Sequence, residues 1–305
     1  MIKQKMLSLM LMGAVAMMFL PQVVRPVQAA GDDDDSDSSM RMQEKETIRK
    51  SFNLTGVHKI LEVDNIFGSI DVVGGTGDQV QLVVNKTISA ESKDRMDAAK
   101  KEVTLDITDQ PDLLKLYVNG PFRCNCQNGD SGGCVNWHGD SGYRVKMDFQ
   151  LQVPRNIEVT LKTVNSGFVH VRGVTGNFSV HNVNGAIEMQ DVAGSGIAKT
   201  VNGGVKVGFR ENPRDKSDFG TINGNVELSF VHGLSADFRF KTMNGNVYSD
   251  FDMTSLPAEP AHAEQRGGKF IFRSDRFTGG RIGSGGPEIT AQNLNGDIRV
   301  LERHE

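Results

Sequence analysis

The sequence predicts an all-β fold: a single-domain parallel β-solenoid, or β-helix-like repeat array, with an N-terminal β-rich portion and one short helix. The main observation is a motif of Thr or Asn, an apolar residue, Asn and Gly that recurs in six copies. The glycines that mark successive copies lie 18, 18, 21, 21 and 51 residues apart. A period of this size indicates stacked units that share one core. The copies occupy residues 163–171, 182–189, 200–207, 221–228, 242–249 and 293–300.

A second observation is the alternation of apolar and polar residues after each glycine, which is typical of a strand with one buried face. Val or Ile should point inward, and the residue after it outward. The motif glycine suits a corner with positive φ, and its Asn neighbours should stack into a ladder. Asn-Gly is also a strong hairpin signal, so antiparallel hairpins are the alternative; the constant spacing favours the coil. The predicted outward row is His170, Glu188, Lys206, Glu227, Tyr248 and Arg299.

The first 29 residues have the features of a cleaved signal peptide. Lys3 and Lys5 precede an apolar stretch, residues 6–20, that is shorter than the roughly 20 residues of a membrane span. Val27 and Ala29 supply the small residues of a cleavage site. We therefore expect an exported chain, periplasmic or at the cell surface or secreted, with no integral membrane segment after cleavage. Residues 30–47 are rich in Asp and Ser and predict a disordered acidic linker.

The predicted domain covers residues 48–301, and its first part should be built mostly from strands. Residues 59–73 contain a degenerate copy of the repeat, in which Phe67 replaces the Asn. Residues 89–101 predict the helix, with Ser89 or Ser92 as its N-cap and with Met96, Ala99 and Val103 on one face. Further strands are expected at residues 79–84, 103–107, 113–118 and 143–153.

The predicted repeat array covers residues 160–301 and is interrupted by an insertion, residues 252–286. The insertion is rich in Pro, Ala and Gly and contains one strand-like segment, residues 269–273. Its glycine-rich end, residues 279–286, lacks the Lys and Ser/Thr of a phosphate-binding loop, and no helix pattern follows it. We interpret that end as a turn.

These patterns resemble the bacterial family of exported domains named "putative adhesin", whose function is unknown. The matching stretches are residues 151–164, the glycine-centred copies and residues 283–300, and the resemblance covers about residues 48–301. The family's corners usually carry Ser where this chain carries Asn, except at Ser166, where the copy has one extra residue. The resemblance implies adhesion or another envelope role, and it offers no catalytic residues to transfer.

The charge of the chain argues against nucleic acid as a partner. The formal net charge is −4, and removal of residues 1–29 leaves 31 basic and 38 acidic residues. Binding to nucleic acid requires a basic surface that neutralises phosphates. No residue pattern indicates a cofactor, so none is expected.

The three cysteines, Cys124, Cys126 and Cys134, lie in one glycine-rich loop with His138. In an oxidising compartment we expect Cys134 to pair with Cys124 or Cys126, which leaves one cysteine over. The alternative is a metal site that uses the three cysteines and His138, although their spacing fits no common zinc motif. Trp137, in the same loop, is either a contact residue for a ligand or part of the core packing.

The sequence therefore favours a non-enzymatic, adhesin-like interaction protein that binds an envelope component, a surface polysaccharide or a protein partner. One alternative is a polysaccharide-active enzyme, because Glu188 and Glu227 would lie two rungs, about 9.6 Å, apart, near the upper limit for an inverting carboxylate pair. Another is an accessory protein in envelope stress sensing that binds its partner through residues 252–286.

Overall fold

A computed structural model describes residues 40–123, 141–257, 262–266, 269–273 and 277–303. All of them belong to one of the two units into which the chain divides, Ser36–Glu305. Within the described ranges, ten strands form one large sheet, here sheet I, and eleven form a second, sheet II. Both sheets contain parallel and antiparallel pairs. The described elements are strands and one helix, so the predicted all-β class is confirmed.

The N-terminal portion contributes strands to both sheets and contains the helix. In sheet I, the antiparallel strands β1, β4 and β7 precede β3. The linker was predicted to reach residue 47, but β1 begins at Met42 and pairs with β4 along its whole length. That boundary is wrong because a charged sequence can still form an exposed edge strand. The elements are β1 (Met42–Asn53), β2 (Lys59–Asp64), β3 (Ile70–Gly75), β4 (Gln79–Ala90), α1 (Lys93–Glu102), β5 (Thr104–Asp109), β6 (Leu113–Asn119) and β7 (Tyr143–Pro154).

Helix α1 starts later than predicted, because Ser89 still belongs to β4. Ser92 is the N-cap, and its hydroxyl accepts a hydrogen bond from the backbone N–H of Arg95. Met96 and Ala99 are buried on the predicted apolar face. The helix thus packs against β4 and β7.

The repeat array alternates between the two sheets, with one strand of each sheet in every copy. From β8 to β13, each strand pairs in parallel with the second strand further along the chain. The Asn-Gly motifs lie at the corners between the sheets, so the hairpin alternative is wrong. The strands are β8 (Ile157–Lys162), β9 (Val169–Arg172), β10 (Phe178–His181), β11 (Ile187–Val192), β12 (Gly196–Lys199), β13 (Val205–Phe209), β14 (Ser217–Gly220), β15 (Val226–Phe230), β16 (Ala236–Lys241) and β17 (Val247–Ser249).

The last copy of the repeat does not stack at the end of the array. Its strands β22 and β23 lie between the two preceding copies: β22 pairs with β14 and β16, and β23 pairs with β15 and β17. The long insertion lets the chain leave at β17 and return one rung earlier. The remaining strands are β18 (Thr254–Leu256), β19 (His262–Arg266), β20 (Lys269–Arg273), β21 (Thr278–Ile282), β22 (Glu288–Gln292) and β23 (Ile298–Glu302).

The motif asparagines form the predicted ladder along the corner. Each side-chain amide donates a hydrogen bond to the side-chain oxygen of the Asn one rung earlier, at 2.6–2.8 Å. The amide of Asn295 donates to Asn223 and its oxygen accepts from Asn244, as the intercalated copy requires. In spatial order the ladder is Asn165, Asn184, Asn202, Asn223, Asn295 and Asn244.

The first residue of each motif has a structural role of its own. Its side chain donates a hydrogen bond to the carbonyl oxygen of the motif glycine one rung earlier, as Thr221 does to Gly203 at 2.8 Å. Because that carbonyl lies at a corner with no strand partner of its own, the hydroxyl or amide provides its pairing. This explains why the position is Thr or Asn. The donors are Thr163, Asn182, Thr200, Thr221, Asn293 and Thr242.

The motif glycine is required because adjacent rungs approach closely at the corner. At Gly203, φ is +148°, and a Cβ would lie within 3.0 Å of the backbone of Gly185 and Ala186. The extra residue of the first copy changes this geometry, because there Ser166 takes the positive φ, +55°.

The core runs between the sheets along the whole array. The inward Val and Ile residues that follow each corner, such as Val205 and Ile298, are at most 1% exposed. A column of buried phenylalanine rings, with centroids 5.0–6.5 Å apart, packs beside them. Val247 is the exception, 39% exposed, because β17 is the last strand of sheet I. The rings are those of Phe178, Phe209, Phe219, Phe230, Phe238 and Phe240.

We predict that Gly203→Ala lowers the free energy of unfolding by about 1–3 kcal/mol. The reason is that the added Cβ meets backbone atoms, which cannot rotate away as a side chain can. Urea unfolding followed by circular dichroism measures it. Gly204→Ala is the matched control: a Cβ there would make its nearest contact at 3.5 Å, and we expect a change within about 0.5 kcal/mol. Equal effects of the two substitutions would contradict the close approach at the corner.

Candidate functional site

The outer face of sheet I carries a row of side chains in register, here called the alternating row. It includes all six residues predicted to point outward from the copies. The structure adds Asp71, from the degenerate first copy, which lies three residues after Gly68 as His170 lies three after Gly167. That spacing was the signal that could have identified it. In spatial order the row is Asp71, His170, Glu188, Lys206, Glu227, Arg299 and Tyr248.

The intercalated copy gives this row its regular charge pattern. Sequence order would place Tyr248 beside Glu227, but the register places Arg299 between them. The Arg299 guanidinium lies 6.0 Å from the centre of the Tyr248 ring. From Asp71 to Arg299, acidic and basic side chains therefore alternate on successive rungs.

Ion pairs connect neighbouring members of the alternating row. The Lys206 ammonium lies 2.9 Å from a carboxylate oxygen of Glu227, and the hydrogen bond and charge of Glu227, with the charge of Glu188, raise the pKa of Lys206. The His170 ring nitrogen lies 3.6 Å from Glu188. Because these side chains are partly solvated, each pair contributes less than about 1 kcal/mol to stability.

The two carboxylates of the predicted enzyme alternative lie in this row with Lys206 between them. Glu227 is paired with that ammonium, and Glu188 accepts a hydrogen bond of 2.7 Å from the Gln190 amide. Both carboxylates are therefore engaged by neighbouring polar side chains.

Sheet II carries a different row, which the sequence analysis missed and which is here called the basic row. Its members are the last outward residues of the sheet II strands, immediately before the corners. Lys162, His181 and Lys199 occupy three consecutive rungs with no acidic residue between them. In the sequence, each member is the residue just before the Thr or Asn that begins a motif copy, and in three consecutive copies that residue is basic. The row is Lys162, His181, Lys199, Gly220, Gln292 and Lys241.

The electrostatics of the basic row are clearest at His181. Burial, and then the charges of Lys162 and Lys199, lower the pKa of His181 below its ordinary value, against the opposing effect of Asp218. The imidazole is half-buried, and its Nε2 lies 3.3 Å from the Ser179 hydroxyl. The Lys199 ammonium is paired with Asp218. At neutral pH, His181 is therefore uncharged and sits between two ammonium groups.

The insertion is built into sheet II at both ends. Strand β21 pairs with β16 and β18, and Arg281 donates two hydrogen bonds to Asp237, at 2.7 and 2.8 Å. Ile282 is buried in the core. Deletion of all of residues 252–286 would therefore remove an edge of the sheet, so a test of the insertion as a partner site needs a narrower deletion.

Several predicted residues lie outside the described part of the chain. Cys124, Cys126, Cys134, Trp137 and His138 fall within residues 124–140, and the signal peptide falls within residues 1–39. Among the residues that the structure does describe, no three His, Cys, Asp or Glu side chains are grouped as metal ligands. In the same part of the chain, no helix has the length and apolar character needed to cross a membrane.

No protein-family model matches the sequence. No curated protein gives a significant match. Among solved structures, the chain resembles one described as a "putative cell adhesion protein" from Clostridium sporogenes, with 11% identity, a TM-score of 0.36, and coverage of 85% of this chain and 100% of the other. It also resembles a "putative adhesin" from Bacteroides fragilis, with 10% identity, a TM-score of 0.36, and coverage of 85% and 97%.

A third similar structure is described as a "Putative lipid binding protein" from Parabacteroides distasonis, with 9% identity, a TM-score of 0.30, and coverage of 84% and 96%. Structures described as adhesins are thus among those that the chain resembles. At these scores the comparison carries no argument about what this chain binds.

We predict that one of the three cysteines reacts with a thiol reagent in the denatured, unreduced protein, and that all three react after reduction. The reason is that an oxidising compartment pairs two of them. Thiol titration with parallel zinc analysis measures it. Three reactive thiols with bound zinc would support the metal alternative. Three reactive thiols without zinc would exclude both the disulfide and the zinc site.

Proposed function

We propose that the chain is an exported, non-enzymatic interaction protein of the adhesin type, which binds an envelope component, a surface polysaccharide or a protein partner through one face of its stacked β-strands. The observation that carries the proposal is the register of the outward side chains. Rows of polar and charged groups repeat once per rung on both sheets, which suits a ligand that is itself extended.

The proposal includes a β-solenoid with two strands per coil for residues 160–301. The parallel pairing of every second strand and the ladder of asparagine amides support it. A ladder bonded at each rung holds the outer faces in fixed positions, so a ligand would not have to order them on binding. Preorganisation of this kind lowers the entropic cost of association.

The enzyme alternative has weaker support. Its two carboxylates, Glu188 and Glu227, are separated by Lys206 and hydrogen-bonded as described above. Export to the periplasm, the cell surface or the medium is part of the proposal and rests on the N-terminal sequence alone. An accessory role in envelope stress sensing would use the insertion in place of a sheet face.

We predict that the purified protein co-sediments saturably with one fraction of isolated cell envelopes or with one class of surface polysaccharide. The fixed face should bind one ligand class in preference to others. The measurement is a sedimentation assay over a range of protein concentrations, with parallel incubations that monitor polysaccharide cleavage.

Cleavage that disappears in Glu188→Gln or Glu227→Gln would contradict the non-enzymatic proposal. Absence of binding to every envelope and polysaccharide fraction would contradict the interaction proposal for these ligands. In that case a protein partner at residues 258–276 of the insertion would be the next hypothesis to test.

A further inference from the structure

We propose that the basic row of sheet II is a binding site for an extended anionic polysaccharide. This inference rests on the proposed function and names the ligand class of one face. The argument uses the order of charges along the row, the contacts of its side chains and the charges that surround it.

The order of charges in the basic row has a stability cost that the fold does not require. Side chains directly opposite each other on neighbouring strands interact, and like charges in such positions are destabilising. On sheet I, the alternating row avoids this by placing Glu188 and Glu227 on either side of Lys206. On sheet II, Lys162 and Lys199 flank His181 with no acid between them.

The effect of this arrangement is visible at the central residue. The groups that act on His181 are Lys162 on β8, Lys199 on β12 and Asp218 on β14, with the Ser179 hydroxyl on its own strand. Burial, followed by the charges of the two ammonium groups, outweighs Asp218 and lowers the pKa of His181. The two flanking ammonium groups disfavour a further positive charge on this rung, and they would favour an anion.

Two cations of the row are available to a ligand. Within the described part of the chain, the side chain of Lys162 makes no ion pair or hydrogen bond. The Lys241 ammonium lies 5.3 Å from the centre of the Phe277 ring, a contact that leaves its hydrogen-bond donors unused. Lys199 is already paired with Asp218. An anion on this face would therefore contact Lys162 and Lys241 directly.

The shape of the charged region indicates a linear polymer. Acidic side chains border the row: Asp64 precedes Lys162 in the row, and Asp218 and Glu288 lie beside it on the same sheet. With a net charge of −4 for the chain, a broad anionic membrane would also face these acids. A single extended chain can follow the row and avoid them.

The neighbouring side chains favour sugar over nucleic acid. Thr160 and Ser179 lie two residues before Lys162 and His181 on the same strands, and their hydroxyls are suitable partners for sugar hydroxyls. Binding of single-stranded nucleic acid relies on aromatic side chains that stack with bases and on many phosphate contacts. Among the described residues, the members of the basic row itself include no aromatic side chain other than the His181 imidazole.

The test compares dextran sulfate with uncharged dextran, which share one backbone, by isothermal titration calorimetry on the purified protein. Polygalacturonate tests a carboxylate in place of a sulfate, and single-stranded DNA tests a different polyanion. The variant is Lys162→Gln with Lys241→Gln. The matched control is Lys45→Gln with Lys50→Gln, which removes the same charge from two exposed positions on β1.

We expect the protein to bind dextran sulfate and not dextran. The variant should lose about tenfold or more in affinity, and its slope of log affinity against log salt should fall by about one for each lost contact. The control should change affinity by less than about twofold, since a small change in net charge acts only weakly at physiological salt. Thermal unfolding shows whether both variants remain folded.

The pH dependence of binding is a second measurement, and it tests whether His181 lies in the binding site. Its lowered pKa means that it gains a positive charge only as the pH falls below the ordinary value of 6.5. Sulfate esters remain ionised there, so affinity for dextran sulfate should rise as the pH falls through that range. His181→Gln should remove most of this rise.

Different failures would have different meanings. Equal binding of dextran and dextran sulfate, or equal losses in the variant and the control, would overturn the inference and leave the proposed function intact. DNA binding as tight as that of either acidic polysaccharide would overturn the choice of a sugar polymer. Binding to an envelope fraction without binding to any polyanion would reject this inference alone. Failure of both assays would also reject the proposed function for envelope and polysaccharide ligands.

Discussion

The close approach of successive rungs at the corner is the constraint on which the rest of the structure depends. Motif glycines of adjacent rungs are so near that a Cβ at Gly203 would meet the Gly185 carbonyl. That spacing lets Thr221 donate to the Gly203 carbonyl and lets the Asn223 amide reach Asn202. The corner therefore satisfies its polar backbone without a turn that projects from the sheets, and each rung defines the height and register of the next.

Once the register is set, surface chemistry follows from single residues. A substitution at one place in a copy changes one rung of one row and leaves its neighbours in position. The two sheets use this property differently. Sheet I alternates charges and so pairs them along the stack, whereas sheet II accepts adjacent like charges around His181. The difference between the faces is electrostatic, since both are built from the same parallel ladders.

Features that depend on local sequence could be predicted, and features that depend on the order of stacking could not. The corner glycines, the inward Val205 and Ile298, and the asparagine ladder follow from spacing and alternation within a copy. The intercalation of residues 288–302 could not be predicted, because a parallel ladder pairs any two copies equally well and loop closure costs little extra for a long connection. The basic row could not be predicted from the motif, because its residues precede the Thr or Asn of each copy and do not repeat in residue type.

The most direct test of this account concerns the position of the last copy. In the double variant Ile222→Cys with Leu294→Cys the cysteines would be one rung apart, about 4.8 Å, and in Ile222→Cys with Met243→Cys two rungs apart, about 9.6 Å. A disulfide requires Cα atoms roughly 4.4–6.8 Å apart. After mild oxidation, peptide mapping by mass spectrometry should find the 222–294 link and not the 222–243 link. A dominant 222–243 link would place the copies in sequence order and would contradict the intercalated stack.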